Sequence, residues 1–237
     1  MNSIFHHLQN IAKSKYDKQI MEEFYKFGNS LDQTNIEKLA LDTQIVIKKS
    51  EPNYNHGFLI FAALAQTITT SSQDDQMTLM DIGTARGFSA LVMALVAKKY
   101  NNKGTILSID RIPHEEVRKW KCILDGKSGI SRLDIVNRYD EAKNIIFLNG
   151  KSSKVMRNIH TSRINFAFID GDHRWKSLKH EVEYLESRQI TNDKLLFDDY
   201  TPKVYPDVVR AVDSLAKKYE IETFGDSSRG YALLTRI

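Results

Sequence analysis

A cluster of titratable side chains follows an apolar run in the stretch F-I-D-G-D-H-R-W, residues 168–175. The run at residues 164–169 predicts a buried strand, and Asp170, Asp172 and His173 come directly after it. Carboxylate and imidazole groups can bind metal ions or move protons near neutral pH. The stretch therefore predicts a functional strand end, although Asp172 also suits the cap of a following helix and His173 a structural hydrogen bond.

A second acidic pair, Asp198 and Asp199, ends another predicted strand at residues 194–197. Neighbouring parallel strands end at the same edge of a sheet, so we expect Asp170 to meet this pair. Three carboxylates at close quarters repel one another and need a compensating cation. Oxygen ligands favour Mg²⁺ or Ca²⁺, with Mn²⁺ as a further candidate. The alternative interpretation of Asp198 and Asp199 is a solvated acidic turn.

A glycine-containing turn follows the first predicted strand and contains Asp81, Gly83, Gly87 and Ser89. The glycines allow a tight turn and the close approach of a ligand to the backbone, and Ser89 can cap the next helix. The spacing does not match the dinucleotide pattern G-x-G-x-x-G, because Phe88 stands at the third position, and a P-loop lysine is missing. The residues leave two interpretations, a ligand-binding loop and a plain tight turn.

Regularly alternating strands and helices are needed to place these groups at one sheet edge. Seven apolar runs predict strands, at residues 78–82, 105–109, 144–148, 164–169, 194–197, 220–224 and 231–236. The stretches between them predict helices at residues 89–99, 113–124 and 153–159, and two more that begin near Trp175 and Val208. This order predicts an α/β fold, a Rossmann-like doubly wound sheet of five parallel strands plus a terminal antiparallel hairpin.

The first part of the chain has a different pattern. Residues 55–68 predict an apolar helix, residues 21–27 and 39–47 suggest two others, and no strand is expected here. We therefore predict an N-terminal helical cover at residues 1–75, and a ligand-binding α/β domain at residues 76–237.

The composition favours a cytoplasmic protein that contacts neither membranes nor nucleic acid. The chain has 237 residues, 41% of them hydrophobic, which is enough for one sizeable core. The single cysteine, Cys122, excludes an intrachain disulfide and favours a reducing compartment. No signal peptide or bilayer-spanning run is apparent. The net charge of +4 is spread along the chain rather than gathered into a basic stripe.

The turn pattern D-x-G-x-x-x-G-x-S after a first strand resembles the cofactor loop of class I S-adenosylmethionine (SAM)-dependent methyltransferases. The resemblance implies that Asp110, at the end of the second strand, binds the ribose hydroxyls, and that Gly150, Lys151 and Ser152 contact the adenine. The cofactor-binding residues it implies are Asp81, Gly83, Thr84, Gly87, Ser89, Asp110, Lys151, Ser152 and Asp170.

A narrower resemblance rests on D-G-D at residues 170–172, D-D-Y at residues 198–200 and the proline-led helix that begins at Pro206. These features resemble the metal-dependent O-methyltransferases of small molecules, in particular the macrocin and novobiocin sugar branch, over about residues 55–237. The resemblance implies that Asp170, Asp198 and Asp199 hold Mg²⁺ or another hard divalent cation. Asp172 corresponds to the catalytic base of the sugar branch, whereas His173 stands where catechol-type relatives have a basic lysine.

The resemblance implies methyl transfer from SAM to a hydroxyl of a small molecule, such as a sugar, a polyketide or a phenol. Two other functions stay open: an RNA ribose 2′-O-methyltransferase and a non-catalytic cofactor-binding protein. The sequence leaves the acceptor and the oligomeric state undetermined, a homo-oligomer included.

Overall fold

The computed structural model describes residues 2–71 and 76–237, which form a seven-stranded sheet and the helices packed on it. The strands are β1 (Thr78–Ile82), β2 (Thr105–Asp110), β3 (Ile145–Asn149), β4 (Phe166–Ile169), β5 (Lys194–Phe197), β6 (Tyr219–Gly225) and β7 (Gly230–Arg236). The helices are α1 (Asn2–Lys13), α2 (Lys18–Tyr25), α3 (Ser30–Thr43), α4 (Asn55–Thr70), α5 (Phe88–Lys99), α6 (Arg132–Val136), α7 (Ser152–Val155), α8 (Trp175–Glu186) and α9 (Pro206–Asp213).

The strand order is β3-β2-β1-β4-β5-β7-β6. Strands β1 to β5 pair in parallel, and β7 runs antiparallel to both β5 and β6. The order reverses direction between β1 and β4, which is where a doubly wound sheet binds its ligands. The predicted fold, five parallel strands with a terminal hairpin, is confirmed.

Alternate side chains of each central strand enter different apolar clusters. Phe166 and Phe168 of β4 belong to a cluster with α4 and α5, whereas Ala167 and Ile169 belong to a cluster with α8 and α9. Because successive strand residues point to opposite faces, the sheet is covered on both sides. This double burial explains the nearly continuous apolar runs that predicted the strands.

The N-terminal helices pack on the first of these clusters. The α2 helix begins at a cap in which Asp17 accepts a hydrogen bond from the Ile20 N–H, and α4 is buried along most of its length. Phe24 of α2 meets Phe58 and Phe61 of α4 in edge-to-face contacts with ring centroids 5.1 and 5.0 Å apart. The predicted boundary at residue 75 lies outside the described residues, so the two-domain division stays a prediction.

The helix predicted at residues 113–124 is wrong. The backbone of Arg118 exchanges hydrogen bonds with Ile130 instead, with N–O distances of 3.3 and 3.0 Å. The Asp125 carboxylate accepts hydrogen bonds from the N–H groups of Trp120 and Lys121 at 3.2 and 2.6 Å. A side chain that binds nearby N–H groups in this way competes with helical hydrogen bonding. The segment is therefore an irregular loop, which ends at the short helix α6.

The helices in residues 2–71 and 76–237 lack the combination of length and apolar composition that a bilayer span requires.

Candidate active site

A cavity of about 1230 Å³ lies beyond the carboxyl ends of β1, β2, β3 and β4. Of the residues predicted to bind a cofactor, those that line it are Gly83, Asp110, Lys151, Ser152 and Asp170. Asp172 and His173, the two candidate bases, line the same cavity. The strand-end rule therefore located this cavity from sequence.

The turn between β1 and α5 leaves no room for side chains at its glycines. Gly83 has φ +100°, and a Cβ there would lie 1.9 Å from the Asp170 carbonyl oxygen. Gly87 has φ +99°, and its Cβ would lie 2.9 Å from the Val136 side chain. Positive φ and close backbone approach both require glycine. The turn is thus held between the end of β4 and helix α6.

Three residues predicted to bind the cofactor lie beneath this turn. Asp81 is fully buried and accepts hydrogen bonds from the hydroxyls of Ser89 and Ser108, each at 2.6 Å. The Thr84 and Ser108 hydroxyls are also 2.6 Å apart. Burial raises the pKa of Asp81. In this structure Asp81, Thr84 and Ser89 fix the shape of the turn from below, because a closed hydrogen-bond network occupies their polar atoms.

Asp110 at the end of β2 joins the turn to the rest of the cavity wall. Its carboxylate accepts hydrogen bonds from the N–H groups of Ala85 and Ile112, both at 2.7 Å. The guanidinium of Arg132 lies 3.2 Å from Asp110 Oδ2 and donates from Nε to the Ala85 carbonyl at 2.6 Å. Arg132 is 2% exposed, and sequence reasoning missed it because nothing in the pattern marks a buried arginine at the start of α6.

The carboxylates of β4 and β5 meet, as the sequence predicted. Ile169 pairs with Phe197, so Asp170 and the Asp198–Asp199 pair leave the sheet side by side. His173 Nε2 lies 3.8 Å from Asp170 Oδ1 and 3.4 Å from Asp199 Oδ2. One ligand atom each from Asp170, His173 and Asp199 falls within 4.8 Å of the others. These three residues form the acidic cluster of the site.

Burial and mutual repulsion change the protonation of this cluster. They raise the pKa of Asp170 to about 7, with burial the larger cause and the Asp198 charge the next. Burial also raises the pKa of Asp198 and Asp199. The neighbouring Asp170 carboxylate raises the pKa of His173. Crowded acidic groups of this kind are typical of catalytic and metal-binding sites.

Comparison of the sequence with models of protein families identifies the family of this chain. The model of the family described as "Methyltransferase domain" matches residues 80–200, which is just over half of the chain and runs from within β1 to just past β5. The chain belongs to this methyltransferase family. None of the curated proteins matches its sequence.

Solved O-methyltransferases share the fold of this methyltransferase. NovP has a TM-score of 0.65 at 14% identity, over 86% of this chain and 99% of its own. TomG from Streptomyces achromogenes, solved with SAM, has a TM-score of 0.54 at 12% identity, over 89% and 91%. An O-methyltransferase from Bacillus cereus, solved with SAH, has a TM-score of 0.54 at 11% identity, over 99% and 97%. At such identities the likeness shows the fold alone.

Asp172 of the methyltransferase is held by its own neighbours. Its carboxylate accepts hydrogen bonds from Arg174 Nε at 2.8 Å and from the Ser177 hydroxyl at 2.9 Å. The Arg174 guanidinium holds the pKa of Asp172 far below its usual range. A carboxylate with so little affinity for a proton is a poor base. The predicted capping role is not seen either, because Arg174 occupies the N-cap of α8 and no side chain caps it.

Asp198 faces a cation that the sequence analysis missed. Arg229, in the β6–β7 turn, places Nη2 3.5 Å from Asp198 Oδ2. The other oxygen of Asp198 accepts a hydrogen bond from the Asp199 N–H at 2.8 Å. Two predicted metal ligands, Asp170 and Asp199, thus lie with His173, while the third is paired with an arginine. No short motif marks Arg229, which is distant from the aspartates in sequence.

Ser152 is anchored by a buried carboxylic acid. Its hydroxyl donates a hydrogen bond to Oε1 of Glu181 in α8, a side chain that is 0% exposed. Burial raises the pKa of Glu181 to about 7. A signal was available in the sequence, because Glu181 stands on the apolar face between Leu178 and Leu185. A carboxyl group on the apolar face of a helix predicts a polar partner in the interior that the helix covers.

Proposed function

We propose that this protein transfers a methyl group from SAM to a hydroxyl of a small molecule. The observation that carries the proposal is that Asp170 and His173 belong both to the wall of the large cavity and to the acidic cluster. A cofactor in the cavity and an acceptor at the cluster would meet at these two side chains. Methyl transfer needs this arrangement, since nucleophile, methyl carbon and sulfur must lie in line.

Bound SAM supplies the methyl group as a sulfonium, and this chain supplies its surroundings. The turn at Gly83 lets the cofactor approach the backbone. The Asp110 carboxylate lines the cavity and can accept hydrogen bonds from the two hydroxyls of a ribose. Lys151 and Ser152 line the end of the cavity next to β3. These residues are the proposed cofactor contacts.

The acidic cluster fits a divalent cation. Two carboxylate oxygens, from Asp170 and Asp199, converge there beside the imidazole of His173. Asp170 and Asp199 are the proposed metal-binding carboxylates, with Mg²⁺ or Mn²⁺ as the ion. Such an ion would supply a positive charge that makes the proton of the acceptor hydroxyl more acidic.

His173 is the proposed proton acceptor. Its Nε2 faces Asp199, and its ring lies 4.3 Å from the Tyr205 ring, in the loop after β5 that we expect to contact the acceptor. The contacts with Asp170 and Asp199 orient the imidazole toward the cluster. Asp172, the rival for this role, is tied to Arg174.

The test measures SAH release with SAM, a panel of hydroxyl acceptors and Mg²⁺ or Mn²⁺, beside calorimetric binding of SAM and of Mn²⁺. Asp199→Asn should lower Mn²⁺ affinity and turnover while leaving SAM affinity within about twofold. His173→Asn should lower turnover about a hundredfold, in the range of a lost general base, with Mn²⁺ affinity retained. Asp172→Asn is the matched control and should keep most activity.

Several outcomes would contradict the proposal. Full activity in excess chelator would exclude a metal requirement. A strong loss of Mn²⁺ affinity in His173→Asn would make His173 a metal ligand rather than the base. Absence of SAM binding would remove the proposed function altogether. Salt-sensitive binding of RNA would favour the ribose 2′-O alternative, which the fold does not exclude: an rRNA methylase from Streptococcus thermophilus has a TM-score of 0.54 at 11% identity over 76% of this chain and 95% of its own.

A further inference from the structure

The Ser152 hydroxyl gives its proton to a buried carboxyl group. Ser152 Oγ donates a hydrogen bond to Glu181 Oε1, and Ser152 itself lines the large cavity. Glu181 is 0% exposed and lies just beneath the cavity wall, since a Cβ on the lining residue Gly171 would be 4.0 Å from Glu181 Oε1. The other oxygen of this carboxyl group, Oε2, has no hydrogen-bond partner in the part of the chain that the structure describes. Glu181 therefore depends on Ser152 for its hydrogen bonding.

This dependence determines what Ser152 can offer to a ligand. A serine hydroxyl has one proton to donate and lone pairs that accept. Moving the proton to a ligand would leave the Glu181 carboxylate buried without a hydrogen bond, which costs more free energy than an ordinary hydrogen bond supplies. The proton therefore stays on the side of Glu181. Ser152 presents a hydrogen-bond acceptor to the cavity.

The charged side chains beside Ser152 have the opposite character. Lys151, Lys154 and Arg157 line the same cavity, and ammonium and guanidinium groups donate hydrogen bonds but do not accept them. The Ser152 oxygen is thus an accepting group among donors. A ligand that donates a hydrogen bond at this point of the wall matches it.

The order of the strands places the adenine of SAM at this point. The acidic cluster, where the methyl group must lie, follows β4 and β5, and Asp110, the proposed ribose contact, follows β2. In SAM the sulfur and the adenine are attached to opposite sides of the ribose, so the adenine extends past Asp110 away from the cluster. The next strand in that direction is β3, which Lys151 and Ser152 follow. The 6-amino group of adenine is a hydrogen-bond donor.

We infer that Glu181 determines the base specificity of the cofactor site: it holds the Ser152 proton, so that the Ser152 oxygen accepts a hydrogen bond from the 6-amino group of adenine. This inference rests on the proposed function and deepens it. Glu181 does not line the cavity, so it is a positioning residue that acts through Ser152. A 6-oxo purine has an oxygen in place of the amino group, and two accepting oxygens would then face each other.

The test compares SAH with S-inosylhomocysteine, its 6-oxo counterpart, by calorimetric binding at pH 8. At this pH the Glu181 carboxyl group, with a pKa of about 7, is mostly charged and has no proton to donate. Wild type should bind SAH at least about tenfold more tightly, the effect of leaving a polar group unpaired. The two ligands also differ at N1 of the base, so the decisive quantity is how the ratio of their affinities changes between variants.

Glu181→Gln separates the positioning role from a structural one. An amide side chain can offer either its oxygen or its N–H to Ser152, so the hydroxyl becomes free to donate its proton to a 6-oxo group. The variant should bind S-inosylhomocysteine about five- to tenfold more tightly than wild type does, with SAH affinity within about twofold. A disturbed fold would not produce this gain. Glu183→Gln, on the exposed side of α8, is the matched control and should leave both affinities unchanged.

Ser152→Ala tests whether Glu181 acts through the hydroxyl. This variant should lower SAH affinity about tenfold and bring the affinities of the two ligands closer together. In its background Glu181→Gln should no longer change the ratio of the two affinities, because the group that Glu181 orients is missing.

An unchanged ratio in Glu181→Gln would overturn the inference. So would an effect of Glu181→Gln that persists in the Ser152→Ala background, since the carboxyl group would then act by another route. Failure of the proposed function has a different signature. A protein that binds SAH but transfers no methyl group would contradict the function alone, and the binding comparison would still decide the inference, whereas a protein that binds no SAH would contradict both.

Discussion

Asp172 and His173 are adjacent in sequence but have different surroundings in the structure. Both follow the same strand, and both are groups that can accept a proton. Because strand ends converge, the sequence predicted that Asp170 meets the Asp198–Asp199 pair, but it left the choice of base open. Which of the two can act as the base depends on the hydrogen bonds that each side chain makes with its neighbours. Arg174 and Ser177 donate hydrogen bonds to the Asp172 carboxylate. Such rotamer-level contacts within one turn have no periodic signature, so spacing alone could not resolve them.

Glu181 should make the stability of the protein depend on pH. Burial raises its pKa in the folded protein to about 7, from the usual value of 4.5. Between these values the folded protein holds a proton that the unfolded chain has released, so the free energy of unfolding falls as pH rises. Glu181→Gln removes this dependence and should gain about 2–3 kcal/mol at pH 8 relative to its effect at pH 5.

Urea unfolding of wild type and Glu181→Gln at the two pH values checks the prediction. Glu183→Gln, on the exposed side of the same helix, is the matched control. An equal effect of Glu181→Gln at pH 5 and pH 8 would show that the carboxyl group has an ordinary pKa in the folded protein.

At the scale of elements, every predicted strand is present. Burial on both faces gives the central strands β1, β4 and β5 continuous apolar runs, whereas in the edge strand β6 only Tyr219 and Phe224 are buried. The wrong prediction is the helix at residues 113–124, where other hydrogen bonds replace the helical ones that the spacing of apolar residues suggested. Asp125 binds the N–H groups of this segment, and Arg118 pairs with Ile130. Competing side-chain hydrogen bonds and a pairing across a loop are tertiary choices that a local pattern does not encode.

Arg132 is the element-scale link between the loops after β1 and β2. It contacts the Asp110 carboxylate and the Ala85 carbonyl while buried. Arg132→Leu leaves a largely buried carboxylate without its cation, which should lower the free energy of unfolding by about 3–5 kcal/mol. SAM affinity should fall with it, because the turn that holds Gly83 loses its support.

Chemical denaturation and SAM calorimetry measure these two effects, and Arg138→Leu, at an exposed position just after the same helix, is the control. A variant with wild-type stability would mean that Asp110 is adequately held by the N–H groups of Ala85 and Ile112.

At the scale of the whole molecule, the N-terminal helices share one core with the sheet. Lys99 of α5 pairs with Asp32 of α3 at 2.8 Å, and the Tyr100 hydroxyl donates to the Phe27 carbonyl at 3.0 Å. The apolar helix α4 lies between α2 and α5, in the cluster that also holds Phe168. A cover built this way cannot be removed without exposing the core beneath it.

We expect residues 76–237 expressed alone to lack a cooperative urea transition and to bind a hydrophobic dye. Co-expression with residues 1–75 should restore the transition, because the missing apolar face is then supplied. Far-UV circular dichroism against urea concentration is the measurement. A cooperative transition of residues 76–237 by themselves would establish them as an independent domain.

The position of β7 has a consequence for how the protein is made. This strand follows β6 in the chain, yet it lies between β5 and β6 in the sheet. While the ribosome is still translating β6, that strand has no partner, and the edge of β5 is open. Arg229 reaches Asp198 only through the turn that leads into β7. A nascent chain therefore lacks the Arg229–Asp198 pair until β7 has been inserted into the sheet, and a chain truncated within β7 would leave the edge of β5 exposed.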